Sequence, residues 1–141
     1  VLAGYPVVNL KATLLDGSYH PVDSSEMAFK TAAALAYKTG LAQAEPVILE
    51  PVGYLKVYIP ENIMGDIIGD INKRRGRIMG MGESDKEGLN MVEAEVPMAE
   101  MFKYATDLRS MSRGRGMFTF EFVRYEEAPR NIADKIISEH A

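Results

Sequence analysis

The sequence predicts an α+β chain whose larger part is a split βαβ unit of the ferredoxin-like kind, and three observations predict it. Residues 54–123 read as strand, helix, strand, strand, helix, strand. The helical stretches carry apolar stripes three and four residues apart, while the strand stretches alternate with a period of two. Glycines punctuate each passage from helix to strand. The preceding fifty residues offer one strand, one helix and one proline-bracketed strand, too little to close a core alone. The expected organisation is therefore an incomplete domain over 1–50, a complete ferredoxin-like domain over 51–125 and a C-terminal helix over 126–141.

In chain order, Val8, Leu10, Ala12 and Leu14 alternate with Asn9, Lys11 and Thr13, predicting a strand over 7–15 that ends in the Asp16-Gly17 turn. Asp23 stands three residues before Glu26, a capping-box spacing. It opens a helix from Ser24 to about Lys38, closed by Gly40. The run Ala32-Ala33-Ala34 is either a strong helix former or a surface for close approach. The segment 46–51 reads as a short strand bracketed by prolines, an edge or crossover element, and a strand over 54–59 buries Leu55, Val57 and Ile59. The next helix carries Ile63, Met64, Ile67, Ile68 and Ile71, with Gly65 and Gly69 placed for close packing and Gly76 as its cap. Strands follow over 77–81 and 89–96 around a charged turn, the second with Val92, Ala94 and Val96 facing inward. Pro97 suits the first turn of a helix whose stripe is Met98, Met101, Phe102, Ala105 and Leu108. In the strand over 117–123, Phe118, Phe120 and Phe122 take the core side. The opposite sheet face then shows Tyr54, Lys56, Tyr58, Met79, Met81, Met91 and Met117. A short helix over 131–138 closes the chain.

Sixteen basic against twenty acidic residues give a net charge of −4, which excludes a uniformly basic surface and makes any nucleic-acid contact local. With no Cys there are no disulfides, thiolate metal sites or Cys nucleophiles. No apolar run approaches the roughly 20 residues a membrane span requires, and no charged leader opens the chain. The expectation is a soluble, cytoplasmic protein. The chain begins Val1-Leu2-Ala3-Gly4 without an initiator Met and reads as a piece of something longer.

Catalytic patterns are missing from the sequence. There is neither a phosphate-binding Gly-x-x-x-x-Gly-Lys loop nor a Gly-x-Ser-x-Gly elbow. His20 and His140 lack a supporting ligand cluster, so no metal site is expected. His20, Asp23 and Ser24 read as turn and cap rather than a triad, and Asp66 with Asp70 as a solvated helix face. The basic residues say more. Lys73, Arg74, Arg75 and Arg77 form one stretch and Arg109, Arg113 and Arg115 another, each between a helix and the following strand. Cations in a last helical turn complement its dipole. Arg77, Arg113 and Arg115 continue past the helix ends beside glycines, which favours contact with RNA phosphates. An RNA-recognition-motif reading of the aromatic strand fails, since its aromatics are one residue out of register and on the fourth strand. For Tyr19-His20, composition leaves open a stray surface histidine or a loop-tip probe of RNA.

Taken together, Gly4-Tyr5-Pro6-Val7-Val8, Asp16-Gly17-Ser18-Tyr19-His20 and Val22-Asp23-Ser24-Ser25-Glu26-Met27-Ala28-Phe29-Lys30 closely resemble the end of the fourth domain of bacterial translation elongation factor G. Pro46-Val47-Ile48-Leu49-Glu50-Pro51, Met64-Gly65-Asp66-Ile67-Ile68-Gly69-Asp70, Arg74-Arg75-Gly76-Arg77-Ile78, Ala99-Glu100-Met101-Phe102 and Tyr104-Ala105-Thr106-Asp107-Leu108-Arg109-Ser110 resemble its fifth domain, as do Gly114-Arg115-Gly116 and Tyr125-Glu126-Glu127. The similarity runs from about Gly4 to Ile137. It implies that 1–50 is a partial βαβ piece of domain IV, of the ribosomal protein S5 domain 2-like fold, and that 51–125 is domain V. The family uses GTP hydrolysis to drive tRNA and mRNA through the ribosome. GTP and Mg belong to a nucleotide-binding domain elsewhere in such a parent, so the resemblance implies no enzyme activity and no cofactor here.

The implied partner is the ribosome, with neither membrane nor DNA, and the implied state is a monomer. Tyr19 and His20 would lie at the tip loop that enters the small-subunit decoding region. Some of Arg74, Arg75, Arg77, Arg113 and Arg115 would meet rRNA phosphates near the factor-binding region and stalk-base protein of the large subunit. Pro21, where an acidic residue is expected, Met111-Ser112-Arg113, Gly53-Tyr54 and the stretch 83–90 depart from the pattern. These departures admit a paralogue, including the ribosomal-protection type that releases tetracycline. The alternatives from other classes are a free-standing ferredoxin-like regulatory domain that binds a small ligand and a small acyl-phosphate hydrolase on the same fold.

Overall fold

The computed structural model describes residues 1–22 and 24–141. The elements in chain order are α1 (Glu26–Gln43), β1 (Leu49–Ile59), α2 (Met64–Lys73), β2 (Arg77–Glu83), β3 (Asn90–Pro97), α3 (Tyr104–Ser112), β4 (Met117–Glu127) and α4 (Arg130–Glu139), with 3₁₀ turns at Glu61–Ile63 and Met98–Met101. They divide into two compact units, one formed by 49–127 and the other by 1–48 with 128–141.

In the first of these, four strands form one antiparallel sheet in the order β2-β3-β1-β4. With its two intervening helices this is the ferredoxin-like split βαβ arrangement. Alternation along β1 and β3 sends Leu55, Val57 and Ile59, and Val92, Ala94 and Val96, into a core with Ile67 and Ile71 of α2 and Tyr104 and Leu108 of α3. Each Val, Leu or Ile among them contributes roughly 1.5–3 kcal/mol on burial. Gly53 is needed where it stands, because a Cβ there would strike the Phe120 ring and sit 2.9 Å from the Glu121 carbonyl oxygen.

The strands expected over 46–51 and 54–59 are one strand, β1, with Pro51 inside it. Pro51 pairs only with Tyr125 of β4, since the β3 ladder starts at Val52, so its missing N–H falls on a locally free edge. The helix expected to run from Pro97 through Leu108 is broken. A 3₁₀ turn over Met98–Met101 gives way to Lys103 in the left-handed region, φ 59°, and α3 begins at Tyr104. That kink turns Phe102 outward, 77% exposed, and makes Tyr104, Leu108 and Ser112 the buried stripe. Phe118 and Phe120 pack on the core, but Phe122 is half exposed; it pairs with Gly53, which brings no side chain to meet it. Met81 lies opposite Val92 and so shares the helix-bearing face, because a bulge between Ile78 and Gly80 shifts β2 by one residue. Gly65 and Gly69 face open space rather than a close neighbour.

In the second unit α1 runs from Glu26 to Gln43, passing through Gly40, which therefore does not cap it. Its N-cap is Ser25, whose Oγ accepts the Ala28 N–H at 3.1 Å; the cap expected at Asp23 lies outside the described residues. The alanine run is exposed, so intrinsic propensity is what it supplies to this helix. Residues 7–15 form no strand. A period of two needs a hydrogen-bonding neighbour to become one, and none of the described residues pairs with this segment. Ala3, Ile48 and Ala128 make a small buried cluster with Leu2 and with Ile132, Ala133, Ile136 and Ile137 of α4.

Candidate functional site

Lys73 and Arg109 lie within α2 and α3, the other basic residues of the two stretches follow those helices, and the local reason is the same in each. Helix α2 ends in a Schellman turn: the Gly76 N–H donates to the Ile71 carbonyl at 2.9 Å and the Arg75 N–H to the Asn72 carbonyl at 3.2 Å. Arg75, not Gly76, takes the left-handed conformation, φ 60°. Gly76 is required for space, since a Cβ would collide with Ile71 and Val96. After α3, Arg113 and Gly114 are left-handed, φ 53° and 80°, and the Gly114 N–H donates to the Arg109 carbonyl at 2.9 Å. Gly116 there lies against Ser112, whose Oγ accepts its N–H at 2.9 Å and donates to the Leu108 carbonyl at 2.7 Å.

Beyond this shared turn the stretches differ. Arg74 is buried at 9% exposure. Its Nε donates to Asp70 at 2.9 Å, its Nη2 to Asp107, and its Nη1 to the carbonyls of Glu100 and Phe102. Its guanidinium carbon stands 4.9 Å from the Tyr104 ring centroid. Burial alone would lower its pKa, but Asp70 and then Asp107 outweigh that and hold it above the ordinary arginine value. Arg75 grips Glu50 with both terminal nitrogens, at 2.8 and 2.9 Å, and Glu100 through Nε at 3.1 Å. The Glu50 hydrogen bonds raise its pKa further, against the opposing effect of burial. Arg77 is more open, its side chain 60% exposed, yet it meets Glu95 at 2.8 Å and Glu126 at 3.0 Å. Arg124, absent from the sequence-level candidates, joins the same two carboxylates, and its hydrogen bonds hold the Glu95 carboxyl below the usual range.

Arg113 and Arg115 are exposed, as are Arg109 and Lys73, and no carboxylate among the described residues pairs with any of the four. Arg77 and Arg115 also lie apart. Arg77 is opposite Glu95, in the row through Tyr54, whereas β4 starts at Met117 opposite Tyr58. Four residues of strand separate those rows, about 13 Å, and β2 and β4 are opposite edges of the sheet, about 14 Å across three strand spacings. Of the seven cations that look alike in sequence, Arg74, Arg75 and Arg77 therefore form a neutralised network at one end of the sheet and Arg113 and Arg115 a free group at the other, while Lys73 and Arg109 stand exposed on α2 and α3.

The Tyr19-His20 corner belongs to the other unit. His20 is exposed, and Tyr19, 67% exposed, lies nearly parallel to Phe29 of α1, with ring centroids 6.5 Å apart and planes at 11°. The His20 N–H donates to Ser24 Oγ at 2.8 Å, and the Ser24 N–H donates back to the His20 carbonyl at 2.9 Å. Among the described residues no group of three or more His, Cys, Asp or Glu is placed to hold a metal, and no helix is long and apolar enough to cross a membrane.

Residues 1–45 match the family model described as elongation factor G, domain IV, and residues 47–136 the model described as elongation factor G C-terminus. A crystal structure of a protein from Thermus thermophilus is 46% identical over 99% of this chain, with a TM-score of 0.84. The chain spans 21% of the length of that structure. With consecutive stretches of the chain matched to two regions of elongation factor G, and more than half of its residues inside the C-terminal match alone, the chain belongs to the elongation factor G family.

Proposed function

We propose that this chain is the ribosome-contacting end of a translational GTPase that promotes movement of tRNA and mRNA. The observation that carries the reading is the Tyr19-His20 corner: two exposed rings on a loop tied by paired hydrogen bonds to the start of α1, within the region matched to domain IV. An imidazole and a phenol held outward suit stacking on, and hydrogen bonding to, RNA bases and riboses. Arg113 and Arg115, paired with no carboxylate among the described residues, suit rRNA phosphates at a second contact. Arg74 and Arg75 hold the fold at the other end of the sheet, and Arg77 stands between these roles.

The decisive experiment is single-turnover translocation by the full-length factor that carries this segment. His20→Ala is expected to slow translocation about tenfold while GTP hydrolysis stays near the parent rate. Equal loss of both activities would argue for a folding defect, and no loss of either would refute the ribosome-tip reading.

A further inference from the structure

We propose that Ser24 and Phe29 are positioning residues for His20, fixing how the Tyr19-His20 corner is presented. The inference rests on the ribosome-tip reading above. Tandem serines divide two tasks at the start of α1. Ser25 Oγ accepts the Ala28 N–H and so caps the helix, while Ser24 Oγ accepts the His20 N–H at 2.8 Å. The Ser24 N–H returns a bond to the His20 carbonyl at 2.9 Å. Both backbone polar groups of His20 are thus tied to one residue four positions on, which fixes the peptide planes on either side of it and leaves the imidazole free.

Phe29 holds the corner from the other side. Its ring lies nearly parallel to that of Tyr19, at 11° and 6.5 Å, yet the two residues are 48% and 67% exposed. A pair so open contributes little to a core. What it restricts is the rotation of Tyr19, and through the chain the direction in which His20 points. A helix is a stiff mount for such a contact.

The test places Ser24→Ala, Ser24→Thr, Phe29→Leu and Phe29→Tyr in the full-length factor, alone and with His20→Ala. Ser24→Ala and Phe29→Leu are expected to slow translocation about fivefold, as loss of one ordering contact would. Ser24→Thr, which keeps the hydroxyl, and Phe29→Tyr, which keeps the ring, are expected to restore it. In the His20→Ala background neither loss should add to the defect, since both act through His20. In the 141-residue chain, hydrogen exchange at the His20 amide should quicken in Ser24→Ala and not in Ser24→Thr. A slow His20→Ala factor beside unaffected Ser24→Ala and Phe29→Leu factors overturns the positioning role alone, as would additive defects or unchanged exchange. A His20→Ala factor that translocates at the parent rate overturns the ribosome-tip reading and this role with it.

Discussion

At the scale of single residues, Arg74 shows how an arginine in a basic run becomes part of a core. Its planar fork reaches Asp70, Asp107 and two backbone carbonyls at once while stacking on Tyr104. Removing it would leave two carboxylates and two carbonyls without their donor, and Asp107 is half exposed, which softens the loss. Arg74→Ala is therefore expected to destabilise the chain by about 2–3 kcal/mol in urea denaturation, and Arg74→Lys to recover only part of it. Asp70 lies four residues before Arg74, a spacing visible in the sequence. Asp107 lies 33 residues away, and no local pattern announces that contact. Tyr104, buried with no hydrogen-bond partner for its hydroxyl among the described residues, was hidden for a related reason. The left-handed Lys103 resets the helical phase, so a stripe counted from Met98 runs past it.

At the scale of elements, the helices carry features that packing did not require. Gly65 and Gly69 meet nothing within 4 Å of a built Cβ, so in α2 they only loosen the unfolded chain and weaken the helix. Gly65→Ala and Gly69→Ala are each expected to raise stability by about 0.5–1 kcal/mol, measured by the same denaturation. The turn after α3 supports the opposite kind of prediction, one about binding. Arg113→Glu with Arg115→Glu is expected to weaken ribosome binding and flatten its dependence on salt, because two phosphate contacts are lost. Arg77→Glu is expected to change that slope less, since Arg77 already shares Glu95 and Glu126 with Arg124. An equal flattening by both would contradict the division into a neutralised end and a free end.

At the scale of the whole molecule, the unit over 49–127 holds a core of ten buried residues around its sheet, and the unit of 1–48 with 128–141 holds three. Residues 5–15 are exposed and without regular structure, and Lys11 lies among them. Limited trypsin digestion is expected to cut at Lys11 first, read by mass spectrometry, while residues 49–127 persist. Early cleavage within β1 or β3 would contradict this ranking. The net charge of −4 also takes a clearer meaning at this scale. It averages an end of the sheet where Arg74, Arg75, Arg77 and Arg124 are outnumbered by the carboxylates they meet with an end where Arg113 and Arg115 pair with no carboxylate among the described residues, the rest of the acidic excess lying elsewhere.

The sequence by itself determined the split βαβ order, the core faces of β1 and β3, the apolar stripe of α2 and the family, because all of these rest on local periodicity or on ordered runs of identical residues. It was also enough to single out Tyr19 and His20 as a loop corner. Tertiary structure decided which basic residues are free. Whether an arginine faces solvent or a carboxylate depends on partners brought together by strand pairing and helix ends, as Glu50, Glu95 and Asp107 are. The tertiary structure likewise decided that 7–15 is no strand, that 49–59 is one strand rather than parts of two, and that Lys103 breaks a helix. Backbone hydrogen bonds across the fold settle such points, and a chain's own period of two or of 3.6 does not contain them.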